Sequence, residues 1–246
     1  HNLHAQQTIA ALKNEKHVFV EKPLALGESE IDEIEAAYYE SATKPIVMVG
    51  YNRRFSPHVV KMKQLLASVK GPKTFIMTMN AGDIPADHWT QDTAVGGGRI
   101  IGEACHYIDL MRHLAGSKII GFNAMCLGDA PGIVIREDKA SITLSFEDGS
   151  IGTIHYFANG GKAFSKERIE VFANDAVLQL DNFRKLTGFG WNGFTSMKLS
   201  SQDKGQKDCT KRFIESIQQG KASPISFDEI IEVARVSCQV AESLRK

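Results

Sequence analysis

The sequence predicts an α/β protein in two parts. Parallel strands alternating with helices come first, and an α+β domain with an open, mainly antiparallel sheet follows. Three observations lead to this reading. Residues 1–50 alternate helix, strand, helix, strand, and both strands are apolar throughout, as parallel strands covered on both faces are. Beyond residue 51, strand-like runs bunch together and helices close the chain, the signature of an α+β arrangement. With 246 residues, 43% of them hydrophobic, the chain is long enough for two modest cores.

The elements are expected in the following order. His4–Glu15 is a helix, because Ala5, Ile9 and Leu12 recur at helical spacing. Lys16–Val20 is a short buried strand ending in Glu21-Lys22-Pro23. Glu28–Glu40 is a second helix with Ile31, Ile34 and Tyr38 on one face, and after Lys44-Pro45 the run Ile46–Val49 is a second strand. Pro57–Val69 is a helix and Lys73–Asn80 a strand, followed by a polar loop, Ala81–Val95. Gly96-Gly97-Gly98 leads into a helix over Arg99–Leu114. Strands then follow at Ile119–Leu127, Ala140–Phe146, Ser150–Phe157, Arg168–Phe172 and Val177–Leu180, with Asp148-Gly149 as a hairpin turn. Two helices, Asp208–Gln219 and Phe227–Leu244, end the chain.

Composition excludes several classes. Lys+Arg and Asp+Glu both number 29, so the net charge is zero, and neither nucleic acid nor an acidic membrane is an expected partner. No apolar run approaches the ~20 residues of a membrane span. The four cysteines, Cys105, Cys126, Cys209 and Cys238, form no C-x-x-C pair and read as free thiols of a cytoplasmic protein. No H-E-x-x-H motif and no Cys/His quartet is present, so no metal site is expected. The chain starts with a histidine and enters a helix with no strand before it. The expectation is therefore a truncation: residues 1–50 as the back end of a larger α/β domain, and residues 51–246 as a second domain.

Four clusters carry candidate chemistry. Glu21-Lys22-Pro23 falls at the carboxyl end of a parallel strand, where open α/β sheets bind ligands, and the proline restricts Lys22 to an extended backbone. The bland alternative is a surface ion pair before a turn. Arg53 and Arg54, just past the next strand, suit a carboxylate, phosphate or carbonyl, or else form a solvated charge pair. Gly96–Gly98 permits close backbone approach, and on the helix that follows His106 is expected to share a face with Gly102, Glu103 and Asp109. A carboxylate one turn away orients an imidazole and raises its basicity, which suits a general base; the alternative is a buried histidine satisfied by Asp109. His1, Asn2 and His4, on a loop entering a helix, are placed to face a cofactor.

Taken together, K-H-V-F-V-E-K-P-L-A, G-Y-N-R-R-F-S-P and W-x-x-D-x-x-x-G-G-G-R-I-I-G-E-A-C-H-Y-I-D-L resemble the Gfo/Idh/MocA family of NAD(P)-dependent sugar dehydrogenases. The resemblance extends over nearly the whole chain. The G-G-G-R-I-I-G-E-x-C-H variant is similar to a subgroup fused behind a zinc-type alcohol dehydrogenase-like domain. The resemblance implies a Rossmann domain, here only its C-terminal remnant in residues 1–50, followed by a substrate-binding and oligomerisation domain. It implies NAD or NADP as cofactor and a sugar or nucleotide-sugar substrate. Lys22 matches the E-K-P lysine near the nicotinamide and the reacting carbon, and His106 the proton-transferring histidine. Asn2, His4, Glu21, Lys22, Pro23 and Arg54 are implied at the cofactor, and Lys22, Arg54, Trp89 and Asp109 at the substrate.

Two departures stand out. The glycine-rich phosphate loop is not in this chain, so weak or no NAD(P) binding and no activity are expected of it. Gly102 stands where the family commonly has aspartate, with Glu103 next to it as a substitute among the catalytic candidates. A homo-oligomer, dimer or tetramer, is expected to cover the open sheet. The alternatives are a non-catalytic sugar-binding or dimerisation module and an NAD-using glycosidase or lyase.

Overall fold

The computed structural model describes residues 1–246, which separate into two compact units. The first comprises His1–Asn52, Asp87–His106 and Gln206–Lys246; the second comprises Arg53–Ala86 and Tyr107–Gly205.

In the first unit, α1 (His4–Lys13), β1 (Val18–Val20), α2 (Glu28–Glu40) and β2 (Val47–Val49) follow the expected alternation. The strands pair in parallel, Val18 with Val47 and Val20 with Val49. Leu12, Ile31, Ile34 and Met48 are fully buried, each contributing about 1.5–3 kcal/mol. The closing helices α5 (Gln206–Gln218) and α6 (Phe227–Arg245) complete this core. The Tyr38 ring stacks on Phe227 at 3.7 Å, and Phe19 meets Phe213 edge-on at 5.5 Å. Ser226 caps α6 by accepting from the Glu229 N–H, and Arg235 on its outer face pairs with Asp32 and Glu35 of α2. No helix is long and apolar enough to cross a membrane.

The second unit contains α3 (Pro57–Leu66) and an eight-stranded sheet. Its strands are β3 (Thr74–Asn80), β4 (Ile119–Cys126), β5 (Lys139–Phe146), β6 (Ile151–Phe157), β7 (Glu167–Ala173), β8 (Ala176–Asp181), β9 (Lys185–Phe189) and β10 (Ser196–Lys198). The spatial order is β10-β9-β8-β7-β3-β6-β5-β4, antiparallel except for the parallel pair β3 and β6. Strand alternation buries one face, where Phe75, Met77, Ile142, Leu144, Phe146, Ile154, Tyr156, Ile169 and Val171 are at most 2% exposed. Helix α4 (Cys105–Ala115), whose residues from Tyr107 on belong to this unit, covers that face. The Tyr107 hydroxyl reaches the Met79 sulfur at 3.3 Å, and Met111 packs on Gly152 so closely that a Cβ there would lie 2.6 Å from its sulfur. The opposite face is open.

Three departures from the sequence expectation have local causes. Strands β9 and β10 were not anticipated, because K-L-T-G-F and S-M-K lack apolar alternation; a turn with positive φ at Asn182 and Phe183 returns the chain into the sheet. Helix α1 stops two residues early because Glu15 adopts φ 55°. The helix expected over Arg99–Leu114 is not uniform: Ile100–Ala104 is a π turn, with the Cys105 N–H reaching back to the Ile100 carbonyl.

Candidate active site

Lys22 follows β1 directly, at the carboxyl end of a parallel strand. Its Nζ donates to the Gly102 carbonyl at 2.5 Å, so residues 80 positions apart are joined in the first unit. Glu21 beside it is exposed, and its carboxylate lies over Gly50 at the end of β2, where a Cβ would meet Oε2 at 2.8 Å. Pro23 is buried, and its carbonyl accepts from His4 Nδ1 at 2.6 Å. Asn2 is exposed; its backbone N–H donates to the Val95 carbonyl at 3.2 Å.

The triple glycine shapes the opposite wall. Gly97 and Gly98 have φ of 80° and 75°, a region costly for other residues, and a Cβ on Gly97 would meet Leu26 Cδ2 at 2.6 Å. Gly96 is hemmed in by the backbone of Trp89 and Thr90. The π turn follows. Such a turn takes an extra residue into the helix, so the four-residue spacing from Gly102 to His106 does not stack them as in an α-helix. It also releases carbonyls from the i→i−4 ladder, and Lys22 takes one. His106 is 5% exposed, with the Tyr51 ring edge-on at 6.4 Å.

The two carboxylates expected near His106 each have an arginine partner. Glu103 pairs with Arg99 at 3.0 Å, one turn back. Asp109 lies in the second unit, where both carboxylate oxygens accept from Arg54, at 2.5 and 3.1 Å. Both residues are under 5% exposed, so Arg54 and Asp109 form a buried ion pair with each other. Arg53 is likewise tied to Glu167, which also accepts from Lys204. Burial pushes the Glu167 carboxyl up, but Arg53 and Lys204 outweigh it and hold it below its ordinary value. The two arginines of the N-R-R-F motif therefore have buried carboxylate partners.

Trp89 is 48% exposed, and the His1 ring stands against it at 4.9 Å in an edge contact. His1, Trp89, His4, Lys22, Gly102 and His106 thus all fall in the first unit, whereas Arg54 and Asp109 do not. The π turn had no legible signal in the sequence. His1 had one, its place with Asn2 and His4 on the loop entering α1. The four cysteines are free, and no group of three or more His, Cys, Asp or Glu side chains is arranged to hold a metal ion.

Comparison with known proteins adds to this geometry. Residues 1–59 match the family model of NAD-binding Rossmann-fold oxidoreductases, and residues 59–179 match the GFO/IDH/MocA C-terminal domain. The chain is 25% identical to the myo-inositol 2-dehydrogenase of Thermotoga maritima over 240 residues, 93% of this chain and 70% of that one. A solved levoglucosan dehydrogenase, in complex with NADH and levoglucosan, superposes with a TM-score of 0.83 at 21% identity, over 99% of this chain and 76% of that one. The aldose-aldose oxidoreductase from Caulobacter crescentus, complexed with glycerol, gives 0.79 at 19% identity over 98% and 75%. At these identities the two structures speak to the fold.

Proposed function

We propose a reading that proceeds from one fact: the chain belongs to the GFO/IDH/MocA family of NAD-binding oxidoreductases. It is an NAD(P)-dependent dehydrogenase of a sugar, polyol or nucleotide-sugar hydroxyl. The observation that carries the reading is the Lys22 ammonium held on the Gly102 carbonyl, at a strand's carboxyl end and one helical segment before His106. An ammonium and an imidazole serve a carbinol that must lose a proton and a hydride.

The residues fit a nicotinamide cofactor. Crevices at the carboxyl ends of parallel strands hold dinucleotides, and here β1 and β2 end in Glu21-Lys22 and in Gly50, over which the Glu21 carboxylate lies. Asn2, His4, Glu21, Lys22 and Pro23 would hold the cofactor, which supplies the hydride acceptor when bound. Lys22 donates to the reacting oxygen and stabilises the charge that develops there. His106 takes the hydroxyl proton, and Trp89 offers its exposed ring to the apolar face of the substrate. The Arg54–Asp109 pair is better read as an internal support than as a ligand to cofactor or substrate.

Residues 1–50 act as the cofactor-side domain and residues 51–246 as the substrate and oligomerisation domain, with segments 87–106 and 206–246 packed in the cofactor-side unit. The open sheet face carries an apolar row: Phe189, Val177, Phe172, Thr74 and Ile151 are neighbours across five strands. Phe189, Phe172 and Ile151 are 52%, 38% and 50% exposed, a surface that a second copy would cover. Light scattering should then give a dimer or tetramer, and Ile151→Lys should give smaller species. The four free thiols suit a reducing compartment, the cytoplasm.

The direct test is NADH formation by the full-length protein with myo-inositol, levoglucosan and hexoses. Turnover that Lys22→Met abolishes supports the reading. A product that forms without net NADH would favour a lyase or glycosidase.

A further inference from the structure

His1 has no role in the reading above, yet its placement is closely determined. Its Nδ1 lies 2.7 Å from the Gly96 carbonyl, which only accepts hydrogen bonds, so Nδ1 carries the proton. In the neutral ring, Nε2 is then an acceptor. His4 is fixed in the same way by the Pro23 carbonyl, and the two rings are 5.6 Å apart. The Trp89 edge contact at 4.9 Å holds the plane of the His1 ring.

Gly102 connects this imidazole to the chemistry. A Cβ at that position would lie 3.2 Å from His1 Cε1 and 3.6 Å from Nδ1, so a side chain there would press on the ring. The same residue's carbonyl accepts from Lys22 Nζ. One glycine thus has an acceptor-bearing imidazole on its Cα side and an ammonium donor on its carbonyl side. In the proposed site the reacting hydroxyl accepts from Lys22 and gives its one proton to His106, so the His1 acceptor is left for a second hydroxyl. Two neighbouring hydroxyls use both groups: one oxygen accepts from Lys22, and the next O–H donates to the His1 imidazole.

We propose that His1 is a substrate-positioning residue whose Nε2 accepts a hydrogen bond from the hydroxyl adjacent to the one held by Lys22, so that the pair selects vicinal diols. This rests on the proposed dehydrogenase site. Selection follows from the cost of leaving a built acceptor unpaired: an alcohol without the neighbouring hydroxyl leaves Nε2 desolvated and unsatisfied.

The test is a nitrogen-15 NMR titration of the full-length protein, labelled in histidine and in backbone amides, with NADH present. The probes are myo-inositol and D-glucose, with 1,3-propanediol as a comparison lacking a vicinal diol. The expected result is that the vicinal polyols move the His1 Nε2 resonance and the Gly102 amide, while 1,3-propanediol leaves Nε2 in place. Gly102→Ala should weaken the Nε2 response, because the added methyl pushes on the ring. If the polyols move the Gly102 and Lys22 amides but leave His1 Nε2 unchanged, His1 is only a wall and the proposal fails while the dehydrogenase site stands. If none of these signals moves with any polyol, the polyol site fails and the proposal with it. In turnover, His1→Ala should raise KM for vicinal polyols tenfold or more with kcat changed less than threefold, and His1→Gln, which keeps an acceptor, should recover part of the loss. A fall in kcat alone would overturn the assignment.

Discussion

His113 on α4 should make the folded chain sensitive to mild acid. Burial, reinforced by the Arg54, Lys63 and Arg112 charges, holds its imidazole down to about 2 from an ordinary value of 6.5. The ring therefore stays neutral in the folded state, while in the unfolded chain it protonates normally. Below pH ~6.5 the unfolded state binds a proton that the folded state refuses, so stability is complete above that pH and declines as the pH falls towards 2. Between pH 7.5 and 5.0 the unfolded ring gains about 1.5 pKa units of protonation free energy, and at 1.36 kcal/mol per unit the loss is about 2 kcal/mol. At pH 5.0 the carboxylates are still largely ionised, which isolates the imidazoles. Buried His58, also held below its ordinary value by desolvation, adds in the same direction. The assay is urea unfolding of the parent chain and His113→Gln at both pH values. The substitution keeps the backbone carbonyl that accepts from Lys63 Nζ at 2.5 Å. The parent should lose about 2 kcal/mol more than the variant between the two pH values. Equal losses would refute the reasoning.

Other outcomes follow from the same geometry. Lys22→Met and His106→Ala should each lower kcat/KM by about 10² or more in NADH-coupled turnover. Glu103→Gln, whose carboxylate is paired with Arg99, should lower it less than about tenfold and leave the pH–rate profile unshifted. Arg54→Met should cost about 3–5 kcal/mol in unfolding experiments by breaking the buried ion pair with Asp109, and Arg54→Met with Asp109→Leu should cost less than Arg54→Met alone. Gly97→Ala should lower stability by more than about 1 kcal/mol, since φ is 80° and Leu26 occupies the space a Cβ needs.

Much of the fold was legible because its patterns are local. V-F-V and V-M-V are apolar without interruption and pair in parallel, and the alternation of Ile142, Leu144 and Phe146 matches their burial on one sheet face. The site was legible where residue type and position in an element suffice, as for Lys22 at a strand end. It was not legible where a long-range partner decides. Nothing near Asp109 in sequence indicates that both its oxygens accept from Arg54. The π turn escaped for a related reason: I-I-G-E-A has no composition that sets it apart from an α-helix, and the wider turn is seen only in its hydrogen bonds. Glu103 was a candidate from its place beside Gly102, and its contact with Arg99, at the i−4 position, is seen only in the structure.

The position of β3 has a consequence for how the chain is made. This strand lies at the centre of the large sheet, between β6 and β7, yet it is synthesised first of the eight. Thr74 pairs with Ile151 and with Phe172. At 5–20 residues per second, a ribosome needs roughly 4–15 s after β3 emerges to deliver β6, and longer for β7. Throughout that interval Phe75, Met77 and Met79 have no sheet to join, and both edges of the strand offer unpaired backbone groups. The nascent chain is thus exposed to aggregation for seconds on every round of translation, and its yield in a cell should depend on holding chaperones and on slower synthesis at lower temperature more than on the stability of the finished fold.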